Sequence, residues 1–215
     1  MAHYKTAITE PLKLGFNIDL HDKGAANLIK GMKTGRPSKT PKIPQWSLNK
    51  VLNFLVQLPN AISTEMTLMK CSFLLMLATG WRVSELNACT RDPNYCKIIN
   101  GKLWITPNPL FLAKNEAPDK RRPPKIIEPL LMEDGNPSCL CPVEAFKQYI
   151  KKSSKFKAGN LWIHPNSSQP LQVTQLGNLI CKLIKKANPG LEATVHELRK
   201  FAASYALQGE WMQKN

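Results

Sequence analysis

The chain has 215 residues, of which 43% are hydrophobic, so it can bury a core of its own and general disorder is excluded. Its 30 Lys and Arg residues outnumber 15 Asp and Glu residues. The formal net charge of +15 predicts attraction to polyanions, chiefly nucleic acid and less readily an anionic membrane surface. An ordinary basic protein is the alternative. No apolar run approaches the roughly eighteen residues of a membrane-spanning helix, so no membrane partner is expected.

The six cysteines are scattered along the chain, and only Cys139 and Cys141 are close together. A C-x-C pair without a second pair or a nearby histidine is a poor zinc signal. We therefore expect reduced cysteines in an intracellular protein, with no metal site and no cofactor.

Two segments precede the main body of the sequence. Residues 1–31 have apolar residues at helical spacing and look helical. Residues 32–45 are rich in proline and in basic residues, which predicts a linker. The charge of this linker suits a strap along a phosphate backbone, and it equally suits a solvated tether.

From residue 46 the pattern becomes compact, and three helices are predicted first. Ser47 is a suitable N-cap for the first helix, and Thr64 is one for a long apolar helix from Glu65 to Ala78. A glycine ends that helix, and Val83–Cys89 is predicted as a shorter one.

A small antiparallel sheet is predicted next. Asn100-Gly101, between C-K-I-I and K-L-W-I-T, is the strongest hairpin pattern in the chain. P-L-F-L-A-K and P-K-I-I-E-P are predicted as a third strand region, joined by the basic loop D-K-R-R-P-P. Helices from Pro142, over Val173–Ala187 and from Thr194 follow, with a short strand or extended piece at Leu161–His164. This order predicts a mainly α fold with a small antiparallel β-sheet.

Arg82, in A-T-G-W-R-V-S-E-L, directly follows the long apolar helix and needs an anionic partner if it is partly buried. Glu85, one helical turn later, is one candidate and would make a structural ion pair. A bound phosphate is the other, because a planar guanidinium can hold it through two hydrogen bonds.

Three further polar residues need an explanation. Lys114 ends a predicted apolar strand and is either a solvated strand end or a proton donor on a mobile hairpin. His196 and Arg199 are neighbours on one face of the last helix. A lone histidine is more often structural, but this pair beside a second arginine suits a phosphate site. Tyr205, on the same helix, is interpreted as a core residue.

These patterns resemble a known family. A-T-G-W-R-V-S-E-L resembles the first arginine motif of the tyrosine recombinases (phage-integrase family), T-G-x-R-x-S-E-L, and H-E-L-R-K-F-A-A-S resembles the second, H-x-L-R-[HK]-x-x-A-[ST]. F-L-A-K-N lies where the family carries its catalytic lysine, and C-P-V-E-A-F resembles the helix before the second motif. The segments P-L-F-L-A-K and L-C-P-V-E-A are similar to segments in recombinases of eukaryotic mobile elements, such as tyrosine-recombinase retrotransposons.

The resemblance covers residues 46–215 and implies a catalytic domain there. It also implies that residues 1–31 are the remnant of a helical core-binding (SAM-like) domain, joined by the linker at 32–45. Family members bind double-stranded DNA, on which the full-length proteins form tetramers. We therefore expect DNA as the partner, in the nucleus of a eukaryote or otherwise in the cytoplasm or nucleoid. The expected DNA contacts lie in the linker and the basic loop: Arg36, Lys39, Lys42, Lys120, Arg121 and Arg122.

The resemblance implies a mechanism without metal or nucleotide, in which a tyrosine cuts one DNA strand and forms a 3′-phosphotyrosyl intermediate. Arg82 and Arg199 are then expected to hold the scissile phosphate. Lys114 is expected to protonate the leaving 5′ oxygen, and His196 to act as the acid or base. Lys200 is expected to support the same site.

The resemblance has one departure, at the end of the chain. The nucleophilic tyrosine is expected beyond Asn215, because Tyr205 follows Arg199 too closely and Trp211 comes too early for the family's preceding His or Trp. We therefore expect a fragment, a truncated gene product or a domesticated remnant of a recombinase, which is monomeric, binds DNA and is inactive alone.

Two other functions stay open. One is a non-catalytic DNA-binding protein derived from a recombinase. The other is an unrelated basic helical RNA-binding protein, which predicts that Arg82, Lys114, His196 and Arg199 lie far apart.

Overall fold

The computed structural model of the chain describes residues 44–59, 61–113, 116–117, 121–155, 159–167 and 169–208, with the backbone alone for 203–208. The predicted N-terminal remnant and nearly all of the linker lie outside the described residues, as do Trp211 and the side chain of Tyr205. The same holds for five predicted site or DNA-binding residues: Arg36, Lys39, Lys42, Lys114 and Lys120.

Three helices open the described part of the chain: α1 at Leu48–Val56, α2 at Thr64–Thr79 and α3 at Val83–Asn87. All three were predicted, although α3 ends two residues earlier than expected. The reason is that Cys89 leaves the helix to pair with Pro107 in an isolated β-bridge.

The starts of the first two helices follow from hydroxyl caps. The Ser47 hydroxyl accepts a hydrogen bond from the backbone N–H of Lys50 at 3.4 Å, as predicted for α1. For α2 the predicted cap is wrong by one residue. The cap is Ser63, whose Oγ accepts from the N–H of Met66 at 3.2 Å, and Thr64 is already helical.

A three-stranded antiparallel sheet follows, with strands β1 at Cys96–Ile99, β2 at Lys102–Ile105 and β3 at Lys125–Ile127 in the order β1-β2-β3. The predicted hairpin turn joins β1 to β2. Asn100 has φ 50° and Gly101 has φ 77°, and two successive positive φ angles are what a type I′ turn requires.

The third strand is shorter than predicted. Residues 109–113, P-L-F-L-A, form no strand, because the chain turns at Asn108 instead. The Asn108 side-chain oxygen accepts from the N–H of Leu110 at 2.8 Å, and its carbonyl accepts from the N–H of Phe111 at 2.8 Å. An asparagine that bonds to the backbone two residues ahead favours a turn over an extended strand.

Three helices complete the fold: α4 at Pro142–Lys152, α5 at Val173–Ala187 and α6 at Val195–Gln208. The predicted extended piece before α5 is present, and Ile163 within it makes an isolated bridge to Pro170. The predicted fold class, mainly helical with a small antiparallel sheet, is therefore confirmed.

Helix α2 is the centre of the core. It is apolar on all sides, its residues are buried almost without interruption from Thr67 to Thr79, and it packs against α3, α4, α5 and α6. A helix that is apolar all round is stable only when other elements cover it. The sheet turns its buried face, with Leu103 and Ile105, toward the same core. The C-terminal end of α2 is consequently fixed in position from several sides.

Candidate functional site

The site begins at the turn between α2 and α3. Gly80 caps α2 in the left-handed conformation, with φ 65°, and its N–H donates to the carbonyl of Met76 at 3.0 Å. Trp81 follows and is only 6% exposed, while its N–H donates to the hydroxyl of Thr79 at 3.3 Å. A left-handed cap of this kind reverses the chain sharply, so α3 starts directly at the end of α2.

Arg82 lies at the N-cap of α3, beside Glu85. Its backbone N–H donates to Glu85 Oε2 at 2.6 Å, and its Nη1 lies 3.6 Å from Glu85 Oε1. The Glu85 side chain is 3% exposed and that of Arg82 is 27% exposed. The structural ion pair considered from the sequence is thus present. The Arg82 Nη1 atom is nevertheless buried without a hydrogen bond to any described residue, so this guanidinium retains donor capacity.

Arg199 reaches the same turn from α6. Its Nε donates to the carbonyl of Gly80 at 3.0 Å, across 119 positions of sequence. That carbonyl is two residues before Arg82. The structure therefore brings these two predicted site residues to one helix junction, and the hydrogen bond orients the plane of the Arg199 guanidinium there.

The start of α6 is held by a capping contact that sequence reasoning missed. Glu197 Oε2 accepts from the N–H of Thr194 at 2.8 Å and from Trp46 Nε1 at 3.0 Å. The Trp46 ring also packs against Phe201, with the ring centroids 4.8 Å apart. The sequence contains the pattern for this contact, since T-V-H-E has the Thr-x-x-Glu spacing of a capping box.

The other two predicted residues of α6 are exposed. His196 lies one helical turn before Arg199, as expected, and Lys200 is the residue directly after Arg199. Leu198 and Ala202 are buried, and they anchor the helix to the core. His196 thus lies on the solvent-facing side of the helix that delivers Arg199 to the junction. Lys114 lies outside the described residues, so its place in the site stays a prediction.

The two described basic residues of the loop, Arg121 and Arg122, are engaged within the protein. Arg122 Nη1 lies 3.4 Å from Glu85 Oε1, and Arg122 Nε lies 3.5 Å from Glu116 Oε1. Arg121 pairs with Glu116 at 3.8 Å and donates to the carbonyls of Pro109 and Phe111. Glu116 was missed from the sequence. Glu116 pairs with both arginines, and Arg122 in turn contacts Glu85, the partner of Arg82.

A cavity of about 320 Å³ lies beneath this loop. Its walls include Trp81, Glu85, Tyr95, Glu116 and Arg122. Since Arg82 and Arg122 both face Glu85, two guanidinium groups share one buried carboxylate at the edge of the site. With Arg121 and Glu116 included, three guanidinium groups face two carboxylates, which leaves an excess of positive charge that an anion can neutralise.

Within the part of the chain that the structure describes, no group of three or more His, Cys, Asp or Glu side chains could hold a metal ion. Among the same residues, no helix is both long enough and apolar enough to span a membrane.

No protein-family profile matches the chain, and no curated protein does. Solved structures of two recombination proteins are among those that are similar to it. XerA recombinase matches with a TM-score of 0.50 and 18% sequence identity, over 95% of this chain and 68% of that one. A dimer of lambda integrase (75–356) bound to a COC′ core site matches with a TM-score of 0.48 and 16% identity, over 86% of this chain. The present chain spans 62% of that integrase fragment. The similarity to XerA recombinase shows a shared fold.

Proposed function

We propose that this chain is a DNA-binding protein of the tyrosine recombinase type, built for site-specific breakage and rejoining of DNA strands through a 3′-phosphotyrosyl intermediate. The observation that carries the proposal is the hydrogen bond from Arg199 Nε to the carbonyl of Gly80, two residues from Arg82. The shared fold with XerA recombinase supports it. So do the two arginine motifs, which place Arg82 and Arg199 where the family holds a phosphate.

In this proposal the two guanidinium groups bind the non-bridging oxygens of the scissile phosphate. They stabilise the extra negative charge that builds up as the phosphorus becomes five-coordinate. Arg82 is suited to this because its side chain is 27% exposed and its guanidinium makes only a 3.6 Å contact with its carboxylate partner. A phosphate oxygen offers a stronger, charge-assisted bond than that long contact.

The remaining roles follow the same scheme. His196, exposed one turn before Arg199, moves a proton at the nucleophile, and Lys200 supports the same face. Lys114 protonates the leaving 5′ oxygen. The proposed substrate is double-stranded DNA, on which the full-length protein forms tetramers. The same proposal includes an origin in a eukaryotic mobile element and a nuclear location.

Fluorescence anisotropy with labelled duplex DNA tests the DNA-binding part. We expect Arg82→Ala to weaken binding by roughly 1–3 kcal/mol, the range for bonds to charged groups. Lys182→Ala is the matched control. Lys182 pairs with Glu65 at 2.7 Å, at the opposite end of α2 and about 20 Å along the helix from Gly80. Equal effects of the two substitutions, or binding that does not respond to salt, would contradict the proposal.

A second candidate, DNA binding without strand cleavage, is favoured by the environment of Tyr149. This tyrosine is fully buried, its hydroxyl donates to the carbonyl of Leu161 at 3.1 Å, and burial raises the pKa of the hydroxyl. It is therefore no nucleophile. Nicked DNA that traps the phosphotyrosyl intermediate tests whether this chain carries a nucleophile of its own. A covalent protein–DNA band would support strand cleavage by the chain alone and contradict the second candidate, whereas intact binding without a band is expected both of that candidate and of a recombinase chain without its tyrosine.

A further inference from the structure

Lys70 is the exception among the buried polar side chains of α2. The other three, Thr67, Ser72 and Thr79, each donate to a carbonyl of the same helix or its cap, at 2.9, 3.1 and 2.8 Å. Lys70 is 9% exposed, and its ammonium has no hydrogen bond or ion pair with any described residue. The ammonium nitrogen itself keeps some access to solvent at the cavity that Lys70 lines, so an anion that enters the cavity can reach it.

The Lys70 side chain lines a cavity of about 320 Å³ between α1, α2, α4 and the turn before α4. The apolar part of the wall comes from residues such as Leu55, Leu58, Ile62 and Met132, and polar side chains line the rest. Small-molecule sites have this character, with apolar walls and a few polar groups that orient the ligand, and they start at about 300 Å³.

One carboxylate lines the same cavity, but it has another partner. Glu144 Oε2 lies 3.4 Å from the ammonium of Lys147 on the outer side of α4. Burial lowers the pKa of Lys70, and the Cys139 thiol in the wall of the same cavity acts on it in the opposite direction. Among the described residues the cavity therefore combines apolar side chains with a positive charge that has no carboxylate partner.

We propose that this cavity binds a small carboxylate with an apolar body, whose carboxylate pairs with the Lys70 ammonium and whose body packs on the apolar wall. The proposal is independent of the proposed DNA chemistry. An exposed edge of apolar side chains continues from the cavity to the surface, since Val56 is 50% exposed and Met132 is 47% exposed. That edge provides an entrance for the apolar body.

The probe is 4-phenylbutyrate, and 4-phenylbutanol is its uncharged match. Both are titrated into the whole 215-residue chain, and binding is measured by isothermal calorimetry. We expect the carboxylate to bind about tenfold or more tightly than the alcohol, as for a bond to a charged group. Equal affinities, or no binding of the carboxylate, would overturn the proposal.

The location is tested with Lys70→Met, which replaces the ammonium by an apolar group of similar length. We expect this substitution to abolish the preference for the carboxylate, while Lys50→Met, at an exposed position on α1, preserves it.

A second experiment locates the ligand on the chain with Lys70 in place, so it does not depend on whether Lys70→Met folds. In a chain labelled with ¹³C-methyl methionine, the resonance assigned through Met132→Leu should shift on addition of 4-phenylbutyrate, while that of the buried Met69 should not. Binding without a Met132 shift would place the ligand elsewhere and refute the assignment.

Discussion

Arg199 donates through Nε to the backbone carbonyl of Gly80 at 3.0 Å. This bond joins α6 to the C-terminal end of α2. The residue that it contacts, Gly80, lies two positions before Arg82 in the sequence. A side chain that bonds to a carbonyl at a helix end also compensates the partial negative charge there. The same contact therefore stabilises the fold and assembles the candidate phosphate site.

Substitution of Arg199 separates charge from geometry in DNA binding. We expect Arg199→Lys to retain the salt dependence of duplex binding, because the charge is kept, and to weaken binding several-fold, because the oriented guanidinium is lost. Arg199→Ala should lower the salt slope by about 0.9, the contribution of one neutralised phosphate. Anisotropy titrations at several salt concentrations measure both quantities. An unchanged slope for Arg199→Ala would show that Arg199 contacts no phosphate.

Glu85→Gln tests the carboxylate that Arg82 and Arg122 share. The amide oxygen can still accept from the N–H of Arg82, but Arg82 loses its counter-charge and Arg122 keeps only Glu116 as a carboxylate partner. We expect the free energy of unfolding to fall by about 2 kcal/mol, since both arginines remain partly solvated. Urea unfolding measures this, and Glu128→Gln, at an exposed ion pair, is the control with an expected change below about 1 kcal/mol. Equal changes for the two would contradict a central role of Glu85.

Gly80→Ala tests the turn that presents Arg82. A Cβ at this position would meet no atom within 4 Å, so any cost comes from the backbone angle of 65°. We expect a loss of about 1–2 kcal/mol in unfolding free energy, the cost of the left-handed conformation for a residue with a Cβ. Gly159→Ala is the matched control, with equal space and no positive φ. A loss of the same size in the control would rule out the conformational explanation.

Three buried thiols predict a loss of stability in alkali. Burial raises the pKa of Cys71 and Cys89 well above the ordinary value and that of Cys96 to about 12. In the unfolded chain these thiols lose their protons near pH 9, whereas the folded chain keeps them. Stability is therefore complete below about pH 9 and falls as the pH rises further, by up to about 1.4 kcal/mol per pH unit for each thiol.

Urea unfolding between pH 8 and pH 10.5 measures this slope. Lys70 changes the free energy of unfolding in the opposite direction. Because burial lowers its pKa, the folded chain loses that proton at a lower pH than the unfolded chain does, and this raises stability as the pH rises. We expect Cys96→Ser to reduce the alkaline slope, whereas serine at the exposed Cys139 should leave it unchanged. A slope that does not respond to Cys96→Ser would contradict the assignment.

Local chemistry explains which elements could be predicted. The Asn100-Gly101 hairpin was predictable because its turn depends on two adjacent residues that tolerate positive φ. The strand over residues 109–113 was predicted from its apolar run, and this was wrong because the Asn108 side chain captures the backbone N–H of Leu110. Apolar residues alone do not distinguish a strand from a turn that packs on the core.

The candidate site shows where prediction from sequence ends. The i, i+3 spacing placed Arg82 beside Glu85 and His196 beside Arg199, since helix geometry is local. The partnership of Arg122 with Glu85, 37 positions apart, could not be predicted in this way. Spacing in the sequence predicted one ion-pair partner for Glu85, Arg82, whereas in the structure Glu85 pairs with both Arg82 and Arg122.

By itself the sequence determined the basic charge, the order of helices and strands, and the residue types available for a phosphate site. It also determined the N-caps of α1 and α2 to within one residue. Only the tertiary structure decided that Arg199 meets the carbonyl of Gly80 and that Lys70 lines a cavity together with apolar side chains of α1 and α4. The physical reason lies in α2. A helix that is apolar on every side has no periodic face to indicate which neighbour covers which residue, so its contacts follow from the packing of the whole domain.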